Sequence, residues 1–300
     1  MLIKFFCSLS LLVVATALTS FQPALQQDQQ PAVLRTIIVD AGHGGKAIGA
    51  RGKYSTEKDV CLAIALKLGK KIAHDLPGVK VVYTRTTDAF VDNRVRAEMA
   101  NAARGDLFIS IHANSARQLS QRKITGYRKE TYYTGKGKNR KKKTRSVPIY
   151  KTYTSENPAR GTETYIWAAD RTDAKGGFVN EVMSEEEESE EGFSPDLNDP
   201  AFKAKSLLWT KRYFDKSLLL ANLVEEEFVK GGRSSRGVKQ RNNEGIWVLQ
   251  ATGMPSILIE TGFISNRKEE DYLNNKVGQE EMASQILKAV KRYKTALGDK

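Results

Sequence analysis

Three stretches of the chain end a hydrophobic run on a residue that can bind a metal or move a proton. His43 follows TIIVDAG and has glycines on both sides, His112 ends LFISI, and Glu260 ends SILI. Each run predicts a buried strand, and ligands of open α/β sheets bind outside the carboxyl ends of the strands. The three side chains are therefore predicted to meet at one edge of one sheet.

This set of residues predicts a catalytic zinc site, which typically has three protein ligands and one open position. His43 and His112 supply two ligands. The remaining histidine, His74, lies beside Asp75 near the end of a predicted helix, where interaction with the helix C-terminus accounts for it. The third ligand is therefore expected to be an acid. Glu57, in the first turn of the helix after the His43 turn, is the best-placed one, although a glutamate there also complements the helix dipole.

Glu260 is expected to have a different role. A carboxylate at the end of a fully apolar strand is costly to bury unless it has a partner or a function. Beside a zinc-bound water it can take the proton of that water and pass it to a leaving amine. We therefore interpret Glu260 as a general acid/base.

The elements around these residues alternate between strands and helices, which predicts one α/β domain with largely parallel pairing. About six strands and five or six helices are expected. The predicted strands cover residues 36–40, 79–84, 106–112, 161–167, 245–250 and 255–260. The main predicted helices cover residues 56–75, the stretch after Asp92, 200–230 and 279–297.

Two insertions interrupt this pattern. Residues 116–160 lack long periodicity and are strongly basic, whereas residues 168–199 end in an acidic tract. The basic stretch is interpreted as a solvated loop, or alternatively as a contact with an anionic polymer or a membrane surface.

The N-terminus predicts export. Residues 1–20 carry Lys4 and then an apolar run too short to span a bilayer, which is typical of a signal peptide. An uncleaved membrane anchor is the alternative. Residues 21–35 are predicted to be a flexible linker, which leaves residues 36–297 as the catalytic domain.

After cleavage of the signal peptide no stable membrane anchor is expected, and nucleic acid is not expected as a partner. Cys61 is then the one cysteine left, so it cannot form an intramolecular disulfide. Cys61 is interpreted as a small buried hydrophobe.

Several motifs occur together in the order found in one enzyme family. They are VDAGHGG at 39–45, Glu57, TRTTD at 84–88, the helix at 94–101, SIHANS at 110–115, GTETY at 161–165 and VLQATGMPSILIETGFISN at 248–266. The set resembles the zinc-dependent N-acetylmuramoyl-L-alanine amidases of the amidase-3 type, across residues 36–297 apart from the insertions. The resemblance implies a single zinc held by His43, Glu57 and His112, with Glu260 as the catalytic acid/base. It also implies a mixed, mostly parallel six-stranded sheet with helices on both faces.

The resemblance also implies a substrate, peptidoglycan, and a bond, the amide between N-acetylmuramic acid and the L-alanine of the stem peptide. The implied role is cell wall remodelling or daughter-cell separation. The periplasm is the expected location, with the cell wall or the exterior as the alternative. Two other functions stay open: a catalytically dead relative that binds the wall or regulates a partner, and a zinc hydrolase that cuts a different bond.

The acidic insertion suggests a form of control. Family members active in cell division carry a helical regulatory insert after the strand that GTETY resembles, and the acidic segment lies at the corresponding place without a close sequence match. The strand before this segment is expected to end at the zinc edge, and the two insertions are expected to leave neighbouring strand ends. A glutamate of residues 181–191 is therefore expected to occupy the open zinc position, helped by charge attraction to the basic stretch. An activator protein would then relieve this autoinhibition. The alternative is that both insertions are disordered, solvated loops.

Overall fold

A six-stranded sheet forms the centre of the computed structural model, which describes residues 34–169, 172–191, 196, 198–242 and 244–298. Its strands are β1 (Thr36–Ala41), β2 (Lys80–Tyr83), β3 (Leu107–Asn114), β6 (Thr162–Ile166), β7 (Ser235–Gln240) and β8 (Ser256–Phe263). They lie in the order β2-β1-β3-β8-β6-β7. Neighbouring strands are parallel except at the antiparallel pair of β6 and β8. The predicted mixed, mostly parallel α/β sheet is therefore confirmed.

Seven helices accompany the sheet in the described part of the chain: α1 (Glu57–Asp75), α2 (Asn93–Ala102), α3 (Thr172–Glu191), α4 (Pro200–Lys230), α5 (Trp247–Ala251), α6 (Arg267–Asn274) and α7 (Lys276–Ala296). None of the helices in these residues is long and apolar enough to cross a membrane.

The core lies on both faces of the sheet, because successive strand residues point to opposite sides. In β3, Ile109 and Ile111 pack with helices α1, α4 and α7, whereas Phe108 packs with Trp167 and Leu249 on the other face. All five side chains are fully buried. The near-continuous apolar runs recognised in the sequence are thus strands covered on both sides, as parallel sheets require.

The sixth strand of the sheet is not the one that was predicted. Residues 245–250 were expected to be a strand, but the structure has helix α5 there, and β7 at Ser235–Gln240 completes the sheet. A short apolar run such as IWVLQ cannot be assigned to helix or strand from periodicity alone. The edge strand β7 has the sequence SRGVKQ and is only partly buried, so it lacks the hydrophobic signal of an internal strand.

The basic insertion is an ordered ribbon, so its interpretation as a loop is wrong. Strands β4 (Leu119–Thr134) and β5 (Lys141–Ser155) form a separate antiparallel two-stranded sheet, joined by a turn with a short 3-10 helix at Gly137–Asn139. The hydrophobic periodicity that reveals a strand requires one buried face. This ribbon has none, because nearly all its side chains are exposed.

The acidic insertion forms helix α3, and the chain enters it from the edge of the sheet opposite to the predicted one. Because β6 runs antiparallel to β8, the carboxyl end of β6 lies at the edge opposite to the carboxyl ends of β1, β3 and β8. In addition, β8 separates β3 from β6, so the two insertions do not leave neighbouring strand ends. The geometric premise of the predicted zinc plug is therefore wrong.

The described residues bear on one end of the predicted domain, its N-terminus. The predicted signal peptide and residues 21–33 of the linker lie outside the described residues. Leu34, assigned to the linker, is buried in the core, and the amide of Arg35 donates to the Asp106 carboxylate at 2.8 Å. Residues 34 and 35, which were assigned to the linker, are therefore packed against the domain. Helix α4 begins as predicted, with Asp199 capping the amide of Ala201, and it continues without a break.

Candidate active site

The turn after β1 presents His43 in a strained conformation that the surrounding structure holds in place. His43 has φ of 60°, in the left-handed region that costs a residue with a side chain about 1 kcal/mol or more. The guanidinium of Arg96 donates to the carbonyl of His43 at 2.5 Å, and Arg85 donates to the carbonyl of Gly42 at 2.7 Å. These two buried arginines fix the direction of the histidine.

Arg96 is itself held by an ion pair with Asp40 under the turn. The Arg96 Nη1 to Asp40 Oδ1 distance is 2.5 Å, and both side chains are about 2% exposed. The Asp40 carboxylate also accepts hydrogen bonds from Ser110 Oγ on β3 and from Thr84 Oγ1, which directly follows β2. Burial raises the pKa of Asp40, but Arg96 and the two hydroxyls outweigh it and hold that pKa below its ordinary value. The buried network therefore ties the His43 turn to β1, to β3 and to the residue that follows β2.

Glu57 lies at the start of α1, close to both histidines. Its Oε1 is 3.1 Å from His43 Nε2 and 2.8 Å from His112 Nδ1, and its Oε2 accepts from the amide of Ala50 at 2.7 Å. Burial works to raise the pKa of Glu57, but the hydrogen bonds from His112 and His43 outweigh it and hold that pKa well below the ordinary value. The side chain is thus an anion between two imidazoles.

The chemistry and spacing of these three residues fit a zinc ion. One ligand atom from each of His43, Glu57 and His112 lies within 4.8 Å of the others, and a donor set of two nitrogens and one oxygen is common at catalytic zinc. The backbone around them leaves no spare room. A Cβ added at Gly42 would lie 2.4 Å from His112 Nε2, and one added at Gly49 would lie 2.4 Å from Glu57 Oε2.

Glu260 lies beside this cluster on β8, directly opposite His112 in the β3–β8 register. It is 7% exposed, and its Oε2 has no hydrogen-bond partner among the described residues. Burial is the main cause that raises the pKa of Glu260 to about 7; His112 opposes this effect, and Glu57 adds to it. A carboxyl group with this pKa can both accept and release a proton near neutral pH.

Glu163 is a buried acid of the site that the sequence reasoning missed. It pairs with Glu260 in the β6–β8 register and is 2% exposed. Asn114 and Arg236 donate to it at 2.6 and 2.8 Å, and Lys239 forms a further ion pair. The cations on β7 explain why two carboxylates can lie side by side. The glutamate in the buried GTETY strand was the available signal, and it resembles the signal used for Glu260.

A cleft of about 640 Å³ opens over the cluster. As predicted from their places at the strand ends and at the start of α1, four residues line it: His43, Glu57, His112 and Glu260. The start of α2 and residues 245–248 form further walls, which include Trp247, 42% exposed. The cleft therefore combines a cluster that could hold a metal, a buried carboxyl group with a raised pKa and an aromatic surface.

The other singled-out residues lie away from the cleft. His74 is exposed and contacts Asp75 at 2.6 Å, as expected for a helix-end histidine. Cys61 is fully buried in the core of α1. In the acidic segment, Glu181 is exposed and is not among the residues that line the cleft, whereas the side chains of residues 185–191 lie outside the described part of the structure.

Comparisons with known proteins agree with this geometry. The family model described as N-acetylmuramoyl-L-alanine amidase (Amidase_3) matches residues 37–292. The chain is 31% identical over 279 residues to the N-acetylmuramoyl-L-alanine amidase AmiC of Escherichia coli, covering 91% of this chain and 55% of that protein. The chain thus spans about half the length of this relative.

Solved structures show the same fold. The N-acetylmuramoyl-L-alanine amidase from Clostridium difficile 630 aligns with a TM-score of 0.55 at 25% identity, covering 87% of this chain and 97% of that one. The CwlD amidase of Clostridioides difficile, solved in complex with the GerS lipoprotein, aligns with a TM-score of 0.55 at 23% identity, covering 87% and 99%. With the family model extending from β1 into α7, the chain belongs to the amidase-3 family of N-acetylmuramoyl-L-alanine amidases.

Proposed function

We propose that this chain is a zinc-dependent N-acetylmuramoyl-L-alanine amidase, which hydrolyses the amide between N-acetylmuramic acid and the L-alanine of the stem peptide in peptidoglycan. The observation that carries the proposal is the convergence of His43, Glu57 and His112 beside the buried Glu260 in one cleft. Family membership supports the choice of bond.

In this proposal His43, Glu57 and His112 hold the zinc ion. When bound there, zinc supplies Lewis acidity and lowers the pKa of water. Arg96 and Arg85 keep the His43 turn in place through its backbone carbonyls, and Ala50 keeps Glu57 turned toward the histidines. Orientation of this kind by surrounding groups is what fixes metal ligands in enzymes.

Glu260 acts as the acid/base. It accepts a proton from the attacking water and then donates it to the alanine nitrogen as the C–N bond breaks. The Oε2 atom lacks a protein partner in the described part of the chain, so it is available for the water and the leaving amine. The neighbouring Glu163 is already saturated by Asn114, Arg236 and Lys239, which leaves Glu260 as the carboxylate free to exchange protons.

The biological setting is also part of the proposal. We infer export to the cell envelope, with the periplasm as the expected location, since the predicted signal peptide and a peptidoglycan substrate agree. The inferred role is wall remodelling or daughter-cell separation. The CwlD structure contains a second protein, the GerS lipoprotein, which supports the expectation that an amidase of this kind works with an activator protein.

Analysis of the products released from purified peptidoglycan tests the proposed reaction. The zinc-loaded protein should release free stem peptides that begin with L-alanine and leave the glycan strands intact. Glu260→Gln, purified and loaded in the same way, is the matched control and should release far less. Products in which L-alanine remains on muramic acid would identify a peptidase instead, and no release at all would indicate a catalytically dead relative.

A further inference from the structure

The β4–β5 ribbon has no part in the active site described above. Its strands pair from Leu119 with Ser155 to Thr134 with Lys141, with one bulge between Ile124 and Gly126. Sixteen residues at about 3.3 Å each give it a length of about 50 Å. It belongs to no larger sheet, and isolated two-stranded ribbons are marginally stable in water.

The faces of the ribbon are exposed and rich in aromatic side chains. Tyr127 is 65% exposed and Tyr133 is 52% exposed, and Tyr150 and Tyr153 are similar. Several rings stack with cations: the Arg122 guanidinium lies 4.0 Å from the centre of the Tyr150 ring. Stacking of this kind holds long cationic side chains in fixed positions above the ribbon.

Positive charge dominates the ribbon and its turn, which contain twelve Lys and Arg and a single acid, Glu130. The register places six cations on one face, here called the cationic face: Lys123, Arg128, Lys141, Lys143, Arg145 and Lys151. Lys123 lies directly opposite Lys151, although like charges in facing positions destabilise a β pair. Only Arg145 has an acidic partner here, Glu130. The unpaired charges indicate a surface that meets an external anion.

The spacing of these charges fits a polymer. Alternate residues along a strand are about 7 Å apart on one face, so Lys141, Lys143 and Arg145 form a regular row. A chain with repeating phosphate groups can follow such a row, and tyrosine hydroxyls between the cations can donate hydrogen bonds to the same groups.

A planar membrane fits this surface less well. The opposite face of the ribbon carries Arg122, Lys129 and Lys142, and the turn at residues 135–140 adds three more cations. A bilayer would meet only one face, and the turn has no apolar residue to insert between lipids, as surface-bound segments usually do. A flexible polymer can contact both faces.

We propose that the β4–β5 ribbon binds a flexible anionic polymer with repeating phosphate groups and so anchors the catalytic domain in its surroundings. The ribbon follows β3 directly, and Ser115, just before it, lines the cleft. At its base, the amide of Ala116 donates to Ser265 and Asn266 donates to the carbonyl of Ala159. Polymer held on the ribbon would therefore keep the cleft close to the matrix around it.

The test is a binding titration of the whole mature chain with fluorescently labelled linear polyphosphate, followed by anisotropy at several salt concentrations. A ribbon variant replaces the six cations of the cationic face with glutamine. A control variant replaces six exposed lysines outside the ribbon in the same way: Lys70, Lys80, Lys203, Lys211, Lys276 and Lys288. Both variants lose the same charge, so a general electrostatic effect would appear equally in both.

The ribbon variant should bind polyphosphate at least tenfold more weakly at low salt, while the control variant stays close to the unmodified protein. The slope of log association constant against log salt should become shallower by about four, since each lost phosphate contact contributes roughly 0.7. Equal losses in both variants, or no loss in the ribbon variant, would overturn the proposal. Vesicles with 30% phosphatidylglycerol that bind more tightly than polyphosphate would also overturn it, in favour of a membrane. Because binding needs no turnover, the result is independent of the proposed reaction.

Discussion

The buried ion pair between Asp40 and Arg96 gives the sharpest prediction about stability. Replacing Asp40 with asparagine keeps the shape of the side chain but leaves the Arg96 guanidinium, 2% exposed, without its counter-charge. Removing one partner of a buried pair costs about 3–5 kcal/mol. Thr84 and Ser110 would also each face an amide in place of a carboxylate. We expect Asp40→Asn to lower the free energy of unfolding by about 3–5 kcal/mol.

Urea-induced unfolding of the metal-free protein at pH 7 measures this change without a contribution from bound zinc. Exposed ion pairs contribute little, so Glu98→Gln, which removes the partner of the exposed Arg94, is the control and should leave the unfolding midpoint nearly unchanged. Combining Asp40→Asn with Arg96→Met should restore part of the loss, because neither residue of the pair then carries a buried charge. A loss below about 1 kcal/mol for Asp40→Asn would refute the reasoning.

The same pair predicts a dependence of stability on pH. The pKa of Asp40 is depressed in the folded protein, so the carboxylate stabilises the fold above the ordinary aspartate pKa of about 3.9. This stabilisation disappears as the pH falls through the depressed folded pKa. Asp40→Asn should therefore remove part of the acid-induced decline, because asparagine has no proton to gain.

Of three further predictions, two concern the site and one concerns the loop before α1. Glu260→Gln should bind zinc normally and lose roughly 10²–10⁴-fold in turnover of purified peptidoglycan, and near-normal turnover would exclude it as the acid/base. Gly42→Ala should weaken zinc binding in a metal titration while circular dichroism stays unchanged, since the new methyl group would collide with His112; an unchanged affinity would contradict the close approach. Glu270→Ala should cost about 1–3 kcal/mol in urea unfolding, because the amides of residues 53–55 lose their acceptor; no measurable change would show that water replaces it.

The strands that carry the chemistry could be predicted because they are buried on both faces. Long apolar runs ending in His112 and Glu260 indicate both the strand and the edge where the residue lies. Glu57 could be placed because a helix that leaves the sheet edge keeps its first turn near that edge. The structure brings these residues together at one edge of the sheet, as expected for side chains at the carboxyl ends of parallel strands.

Other features could not be predicted because their signals are not local. The antiparallel direction of β6 follows from packing across the sheet. The sequence of a short buried strand does not indicate whether it pairs in a parallel or an antiparallel direction. The edge strand β7 is only half-buried, and the β4–β5 ribbon has no buried face at all, so neither shows hydrophobic alternation. The missed role of Glu163 follows from the missed strand, since β7 supplies Arg236 and Lys239.

Zinc content tests the central claim most directly. The protein, dialysed after zinc loading, should retain about one zinc per chain by mass spectrometry of the metal, as a three-ligand site predicts. His112→Ala should lose this zinc, whereas His74→Ala, which alters an exposed histidine outside the cluster, should retain it. Full zinc occupancy in His112→Ala would contradict the assignment of His43, Glu57 and His112 as the metal centre.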